Sequence, residues 1–196
     1  MNDNNKTKND SWLAKIIADI HLPTPAANII FFTIVIAGFA LDLWTKHAIF
    51  QWLGGDPWKG DPNVIYPVID GFFNLVTRLN PGAAFSIASG QRVILLSVSI
   101  VALVVILGVF LFGHLRSKTL IVAFALFTAG IMGNLFDRAF NDGLVRDFLD
   151  FYVGDYHWPA FNVADSMLCI AVGLLIICNI MTEVSQRRDH SQKTEP

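Results

Sequence analysis

Acid, amide and guanidinium side chains crowd into one short stretch of this sequence, residues 130–166. It reads GIMGNLFDRAF at 130–140, VRDF at 145–148 and FNVADS at 161–166. Asp137, Asp147 and Asp165 supply carboxylates, Asn134 and Asn162 amides, and Arg138 and Arg146 cations, where two long apolar segments face each other across a loop. An ionised group at the centre of a membrane helix costs roughly 2.5–3.5 kcal/mol, so such groups need partners, water or a task. Two acids sharing a site do not both ionise cheaply: one keeps its proton while the other acts as base toward a water. That division hydrolyses a peptide bond, since one carboxylate activates water and the other protonates the carbonyl and then the amine. Asn134 and Asn162 each precede an acid by three residues, a spacing that shares a helix face. An amide there can hold a carboxylate or a substrate carbonyl.

The acids are not equivalent in sequence. Asp165 falls in the predicted first turn of a helix, where the macrodipole favours negative charge, and a helix-start acid with no catalytic role looks the same. Spacing alone does not choose between Asp137 and Asp147 as its partner. Asp137 adjoins Arg138, which suits a fixed, ionised, structural carboxylate. Asp147 is flanked by Phe148 and Leu149, which limit its solvation and raise its pKa, as a proton donor requires. Asp142, Asp150 and Asp155 read as solvated loop acids.

The elements that must position these groups are membrane helices. Of the 196 residues 54% are hydrophobic and only 15% charged, against about a quarter charged in soluble domains. This predicts one compact, mainly α membrane domain with four transmembrane helices and a small extracytoplasmic β-sheet element. Cations sit at segment ends with no basic stripe, so nothing points to nucleic acid. The five histidines are dispersed and Cys169 and Cys178 lie in the last apolar run, so no metal site is expected and the cysteines read as packing residues.

Residues 1–25 are predicted to form a cytoplasmic tail. Within it, 11–22 places Trp12, Leu13, Ile16, Ile17 and Ile20 at one-turn spacing, the pattern of a helix lying on a membrane surface, although a tail without that role reads the same. The membrane domain covers 26–181. Its first span runs over about 26–43 toward Phe50, too long for a cleavable leader, and carries Asp42 and Lys46 at i, i+4, where they pair on one helix face. A surface ion pair has the same spacing. Residues 54–89 are rich in Gly and Pro, with β-forming runs at 64–69 and 72–79 around an Asp70-Gly71 turn. They lead into NPGAAFS at 80–86, where Asn80 offers donor and acceptor and Gly82 allows close approach. Spans follow at about 93–112, 120–136 and 161–181, with a polar loop at 139–159 and a cytoplasmic tail at 182–196. Lys and Arg in both tails and in the 113–118 turn place these on the cytoplasmic side. Asp42, Asn80, Asn134, Asp137, Asp147, Asn162 and Asp165 then converge on the outer face.

With the elements in this order, five motifs carry a resemblance: DLWTK (42–46), NPGAAFS (80–86), GNLFDR (133–138), VRDF (145–148) and FNVADS (161–166). Each alone is weak, but in register across about 26–181 they resemble the lipoprotein signal peptidase (signal peptidase II) family. The resemblance implies a bacterial inner-membrane aspartyl endopeptidase with its active site on the extracytoplasmic face and no cofactor. It would remove signal peptides from diacylglyceryl-modified prolipoproteins, cutting just before the lipidated cysteine. By motif, Asp147 and Asp165 are the catalytic pair. Asn80, Gly82, Asn134, Asp137, Arg138, Asn162 and Ala164 are supporting or substrate-contacting positions, and Asp42 and Lys46 stand at the rim. Membrane lipids and the family's cyclic-peptide inhibitors are the other expected ligands. Two departures touch neither acid: Pro81 stands where the family often has Asn-Thr-Gly or Asn-x-Gly, and Ala129-Gly130 replaces Gly-Gly. The N-terminal extension and the 54–62 insertion fall outside the motifs. The alternatives are a proton-coupled transporter or channel, or a non-enzymatic lipid-binding scaffold; acids gathered on one face argue against a relay, which needs stations across the bilayer.

The cation bias gives a test of topology. Reporter fusions after Lys118 and Arg188 should report cytoplasm and one near Lys59 the outer side; a cytoplasmic signal at Lys59 would undo the convergence of the acids.

Overall fold

The computed structural model of the chain describes residues 22–54, 64–82, 90–113, 115 and 117–194, with side chains as far as Arg187. The surface-helix pattern before Leu22, residues 55–62 of the 54–62 insertion and the AAFS end of NPGAAFS lie outside the described residues.

Among the described residues, four helices are long and apolar enough to cross a membrane. Helix α1 is Pro25–Trp52, α2 Arg92–Phe112, α3 Lys118–Phe140 and α4 Val163–Thr194, of which Val163–Arg187 is the candidate span. The first begins as its sequence dictates: Thr24 Oγ1 accepts the Ala27 N–H at 3.2 Å, and Pro25 occupies the first turn, where its missing N–H costs nothing. At 1.5 Å per residue its 28 residues extend ~42 Å, beyond a ~30 Å hydrocarbon core. Its last turns therefore reach the level of the sheet, where Trp52 packs edge-on to Tyr66 with ring centroids 4.8 Å apart.

Helix α3 is central and packs against α1, α2 and α4. Small residues allow the approach. A Cβ on Gly130 would lie 2.7 Å from Ala164 O, and one on Gly38 would lie 2.9 Å from the Ala129 Cβ. At the end away from the sheet, Phe31 and Phe110 stack at 3.7 Å within a cluster that includes Ile121 and Ala125.

The sheet differs from the two-stranded expectation. Strands β1 (Ile65–Ile69) and β2 (Phe73–Asn80) form the expected hairpin, with Gly71 at φ 79° in its turn. The 139–159 segment, read above as a polar loop, contributes β3 (Val145–Val153) and β4 (Tyr156–His157), giving an antiparallel sheet in the order β1-β2-β3-β4. Val145–Val153 is rich in β-branched and aromatic residues and lies between the 141–143 and 154–155 turns, so it satisfies the sequence rule for a strand. Its acids at 147 and 150 masked that signal.

A bulge in β2 sets which side chains share a face. Leu75 pairs with Leu149 and Arg78 with Asp147, so Val76 and Thr77 together oppose Phe148 alone. Asn74 and Asn80 lie six apart on β2, while Asp150 and Asp147 lie three apart on β3. In a regular ladder the two asparagines would serve one face and the two acids opposite faces. The bulge reconciles them: Asn74 Nδ2 donates to Asp150 Oδ2 and Asn80 Nδ2 to Asp147 Oδ2, both at 3.0 Å.

Tight helix packing has a measurable consequence. A Cβ on Gly133 would collide with the Asp42 carboxylate and lie 3.1 Å from the Ala164 Cβ. Gly133→Ala should therefore wedge α1, α3 and α4 apart and lower stability by about 1–3 kcal/mol, read as a fall in thermal unfolding temperature in detergent. An unchanged midpoint would mean the three helices yield at no cost.

Candidate active site

Asp42, Lys46, Asn134, Asp137, Arg138, Asp147 and Asn162 are buried, and Asp165 is half-buried, all at the sheet end of the bundle. Asp42 and Lys46 form no surface pair: both side chains are fully buried, because the last turns of α1 lie under the sheet and against α3 and α4. The Lys46 ammonium has three hydrogens and three partners. It lies 2.7 Å from Asp42 Oδ2 and 3.3 Å from Asp137 Oδ2, and donates to Asn134 Oδ1 at 3.1 Å. Asp42 Oδ2 takes no well-directed hydrogen bond, so its contact with Lys46 is an ion pair. Its Oδ1 accepts the Ala164 N–H at 2.8 Å, one of the orphan donors in the first turn of α4.

The second node is Asp137. Its expected partner was the adjacent Arg138. Instead Arg146 on β3 folds over it, donating Nη2 to Oδ1 at 2.6 Å, Nε to Oδ1 at 3.2 Å and its own backbone N–H to Oδ2 at 3.0 Å. One residue along a helix turns a side chain through ~100°, and Arg138 accordingly points elsewhere, donating Nη2 to Gly82 O at 2.9 Å. Gly82 also donates its N–H to Asn80 Oδ1 at 2.9 Å. Asn80 and Gly82 thus tie the end of β2 both to Asp147 and to α3.

Asp147 and Asp165 meet through Asn162. Phe161 docks on the free edge of β3, donating to Leu149 O at 3.0 Å and accepting from the Phe148 and Leu149 N–H groups. This leaves Asn162 beside Asp147, where its Nδ2 donates to Asp147 Oδ1 at 2.7 Å. Asn162 also caps α4 reciprocally: its Oδ1 accepts the Asp165 N–H at 3.0 Å, and its own N–H donates to Asp165 Oδ2 at 3.2 Å. Helix α4 therefore starts at Val163, two residues later than expected. Asn134 Nδ2 donates to the remaining Asp165 oxygen, Oδ1, at 2.8 Å. Burial, reinforced by the negative charge of Asp165, pushes the Asp147 carboxyl up to about 7, against the opposing hydrogen bonds from Asn80 and Asn162.

Sequence reasoning missed part of this. Arg146 was counted among the cations but given no place in the site. Strand alternation would have placed it, since neighbours on β3 must point to opposite faces. Asp150 is not a solvated loop acid: it is buried, held by Asn74 and by His157 Nδ1 at 3.0 Å. Tyr152 stacks on His157 and accepts the Gly71 N–H at 2.9 Å, pinning the hairpin turn to β3. Asp142 and Asp155 are exposed as expected. The cysteines are not both packed inside, since Cys169 is exposed on α4.

Comparison with known proteins finds matches in both sequence and fold. A family model described as Signal peptidase (SPase) II matches residues 34–181. A protein named lipoprotein signal peptidase from Rhodopirellula baltica is 36% identical over 188 residues, 84% of this chain and 82% of that protein. Another of that name, from Francisella tularensis subsp. novicida, is 36% identical over 158 residues, covering 78% of this chain and 92% of its own length. Two solved bacterial membrane enzyme structures superpose with TM-scores of 0.67 and 0.63 at 29% and 30% identity, covering 90% and 81% of this chain and 96% and 95% of theirs.

The raised Asp147 carboxyl couples folding to pH. Its folded value of about 7 lies above the ordinary carboxylate value of ~4, so between these limits the folded state holds a proton that the unfolded chain has released. The resulting stability is complete below ~4 and is lost as pH rises toward 7. Asp147→Asn should flatten that fall, measured by thermal unfolding across the window. Parallel curves for the two proteins would show that Asp147 is not the group responsible.

Proposed function

This chain belongs to the signal peptidase II family, and on that premise we propose that it is an aspartic endopeptidase in which Asp147 and Asp165 cut the signal peptide from prolipoproteins. As a member of the family it is a multi-pass membrane protease that removes signal peptides from prolipoproteins. The observation that carries the aspartyl reading is the shared strut: Asn162 hydrogen-bonds both carboxylates, and only these two acids of the cluster lack an ion-pair partner among the described residues. Three buried or near-buried cations, Lys46, Arg138 and Arg146, face four acids, Asp42, Asp137, Asp147 and Asp165. Three positive and four negative charges leave −1, which a single proton held by the catalytic pair neutralises.

Roles follow from exposure. Asp165, the more accessible acid, takes a proton from a water whose oxygen adds to the scissile carbonyl carbon. Asp147, the more buried acid with the raised carboxyl, gives its proton to the carbonyl oxygen, forming a tetrahedral diol. Collapse of the diol moves the proton on Asp165 to the departing amine nitrogen and returns one from a diol hydroxyl to Asp147, which resets the pair. Arg138, whose Nε has no partner among the described residues, is offered as a donor to a substrate carbonyl, with Asn80, Gly82, Asn134 and Ala164 shaping the site and Asp42, Lys46 and Asp137 holding it rigid. We place the cut just before a diacylglyceryl cysteine, on the extracytoplasmic face of a bacterial inner membrane. There acyl chains stay in the bilayer while the peptide reaches the sheet end of the bundle. Membrane lipids and the family's cyclic-peptide inhibitors are the further ligands proposed.

The test uses purified protein with a diacylglyceryl-modified precursor and its unmodified counterpart. The wild type should cut the lipidated form in clear preference. Asp147→Asn and Asp165→Asn should each abolish cleavage while the protein stays folded, with the double variant no worse than either, because groups that act as a unit are not additive. Near-normal turnover by a folded Asp147→Asn protein would break the dyad assignment.

A further inference from the structure

The start of α2 reaches the site although no residue of α2 belongs to it. Arg92, the first residue of that helix, donates Nη2 to Ala139 O at 2.8 Å, and its Nη1 lies 4.0 Å from Asp142 Oδ1. Ala139 lies in the last turn of α3, where carbonyls lack helical partners. The methylenes of Arg92 lie on Gly143: a Cβ there would sit 2.9–3.0 Å from Arg92 Cβ, Cγ and Cδ. The turn so covered is unusual. Asp142 and Gly143 both have positive φ, 49° and 86°. The chain folds back on α3 through Asn141 N–H to Asp137 O at 2.7 Å and Gly143 N–H to Arg138 O at 3.1 Å.

This turn has site residues on both sides. Before it come Asp137 and Arg138, whose backbone carbonyls it borrows; after it, within four residues of Gly143, come Arg146 and Asp147. A shift of the turn along α3 must therefore move Asp147 relative to Asp165, because Asp165 is fixed separately on α4. Just upstream of Arg92, the Gly90 N–H donates to Pro81 O at 3.1 Å, so the same helix start is also tied to the end of β2 beside Gly82.

We propose that Arg92 is a positioning residue for the catalytic pair, clamping the 139–143 turn so that β3 delivers Asp147 in register with Asp165. This rests on the peptidase reading above. Its side chain is 43% exposed, so an alternative role is direct contact with substrate or lipid headgroups, and kinetics separate the two. A clamp acts on the chemical step; a contact acts on binding.

The experiment compares wild type, Arg92→Gln and Arg92→Lys on a diacylglyceryl-modified precursor, measuring kcat, KM, the pH profile of kcat and thermal unfolding. Arg92→Gln should lower kcat about tenfold, a fraction of the roughly 100-fold that a 1 Å misplacement costs, with KM unchanged. The alkaline limb of the profile should move to lower pH, because a looser strand exposes Asp147 and lets its carboxyl fall. Arg92→Lys, which keeps a donor for Ala139 O, should recover much of the loss. An unchanged kcat, a raised KM at constant kcat, or a loss that follows the folded fraction with the pH limb unmoved would each overturn the clamp. An inactive wild type would defeat the peptidase reading itself, a result distinct from an active wild type matched by Arg92→Gln.

Discussion

A single buried ammonium holds this structure to one geometry. Lys46 is enclosed by Asp42, Asn134 and Asp137, so a charge that would cost several kcal/mol to bury alone has two carboxylates and an amide oxygen within 3.3 Å. Those three partners lead outward to every other element of the site. Asp42 caps the first turn of α4 through Ala164, Asn134 holds Asp165, and Asp137 holds Arg146 on β3. Removing one member of such a network leaves the others charged and unpaired, which is the costly outcome in a low-dielectric interior. The cluster is therefore more than ties at helix ends. It fixes three helices and a strand to one another at the level where the two free acids stand.

That constraint explains why Asp147 and Asp165 differ from the other acids. Asp42 and Asp137, the other helix-borne acids of the cluster, each have a lysine or arginine nitrogen within 3.3 Å. Asp147 arrives on a strand, and its hydrogen bonds come from the uncharged amides of Asn80 and Asn162. Asp165 is bound by the Asn134 and Asn162 donors in the same way. Amides can orient a carboxylate without cancelling its charge, so the repulsion between these two acids survives and a proton is retained. Asn162 does this while capping α4, so the geometry of the pair and the start of the helix are set by one residue.

The four spans, the first hairpin and the convergence of seven polar residues could all be read from hydropathy, turn residues and cation placement. Less legible was anything that depends on which way a side chain points. Asp137 beside Arg138 reads as a fixed, ionised carboxylate, but the cations that hold it are Lys46 and Arg146, because helical rotation turns Arg138 away. Asp150 looked solvated because β3 was hidden inside a segment with a loop's polarity; its burial depends on Asn74, 76 residues away. No local pattern reveals the bulge at Val76 and Thr77, since it resolves a parity conflict between two strands far apart in sequence. Without it Asn80 and Asn74 could not serve acids on opposite faces, and the sheet could not both brace itself and support the site.

The distribution of ionisable groups along the helices bears on the choice between hydrolysis and transport. Leaving aside the two thiols of α4, Cys169 and Cys178, α1 has none before Asp42, α2 none after Arg92, α3 none between Lys118 and Asp137, and α4 none between Asp165 and Glu183. Two mid-span hydroxyls, Ser99 and Thr128, are engaged within their own helices, donating to Leu95 O and Phe124 O, each at 2.8 Å. A proton entering at Asp165 thus meets no carboxylate, histidine, lysine or arginine deeper in the described spans, short of their far ends, and the charged layer ends where the apolar spans begin. A relay needs successive sites across the bilayer; a hydrolase needs one wet acid pair at the level where peptide and lipid part. The apolar interiors of α1 to α4 suit the second requirement, since they confine water and charge to the sheet end, where the pair is held.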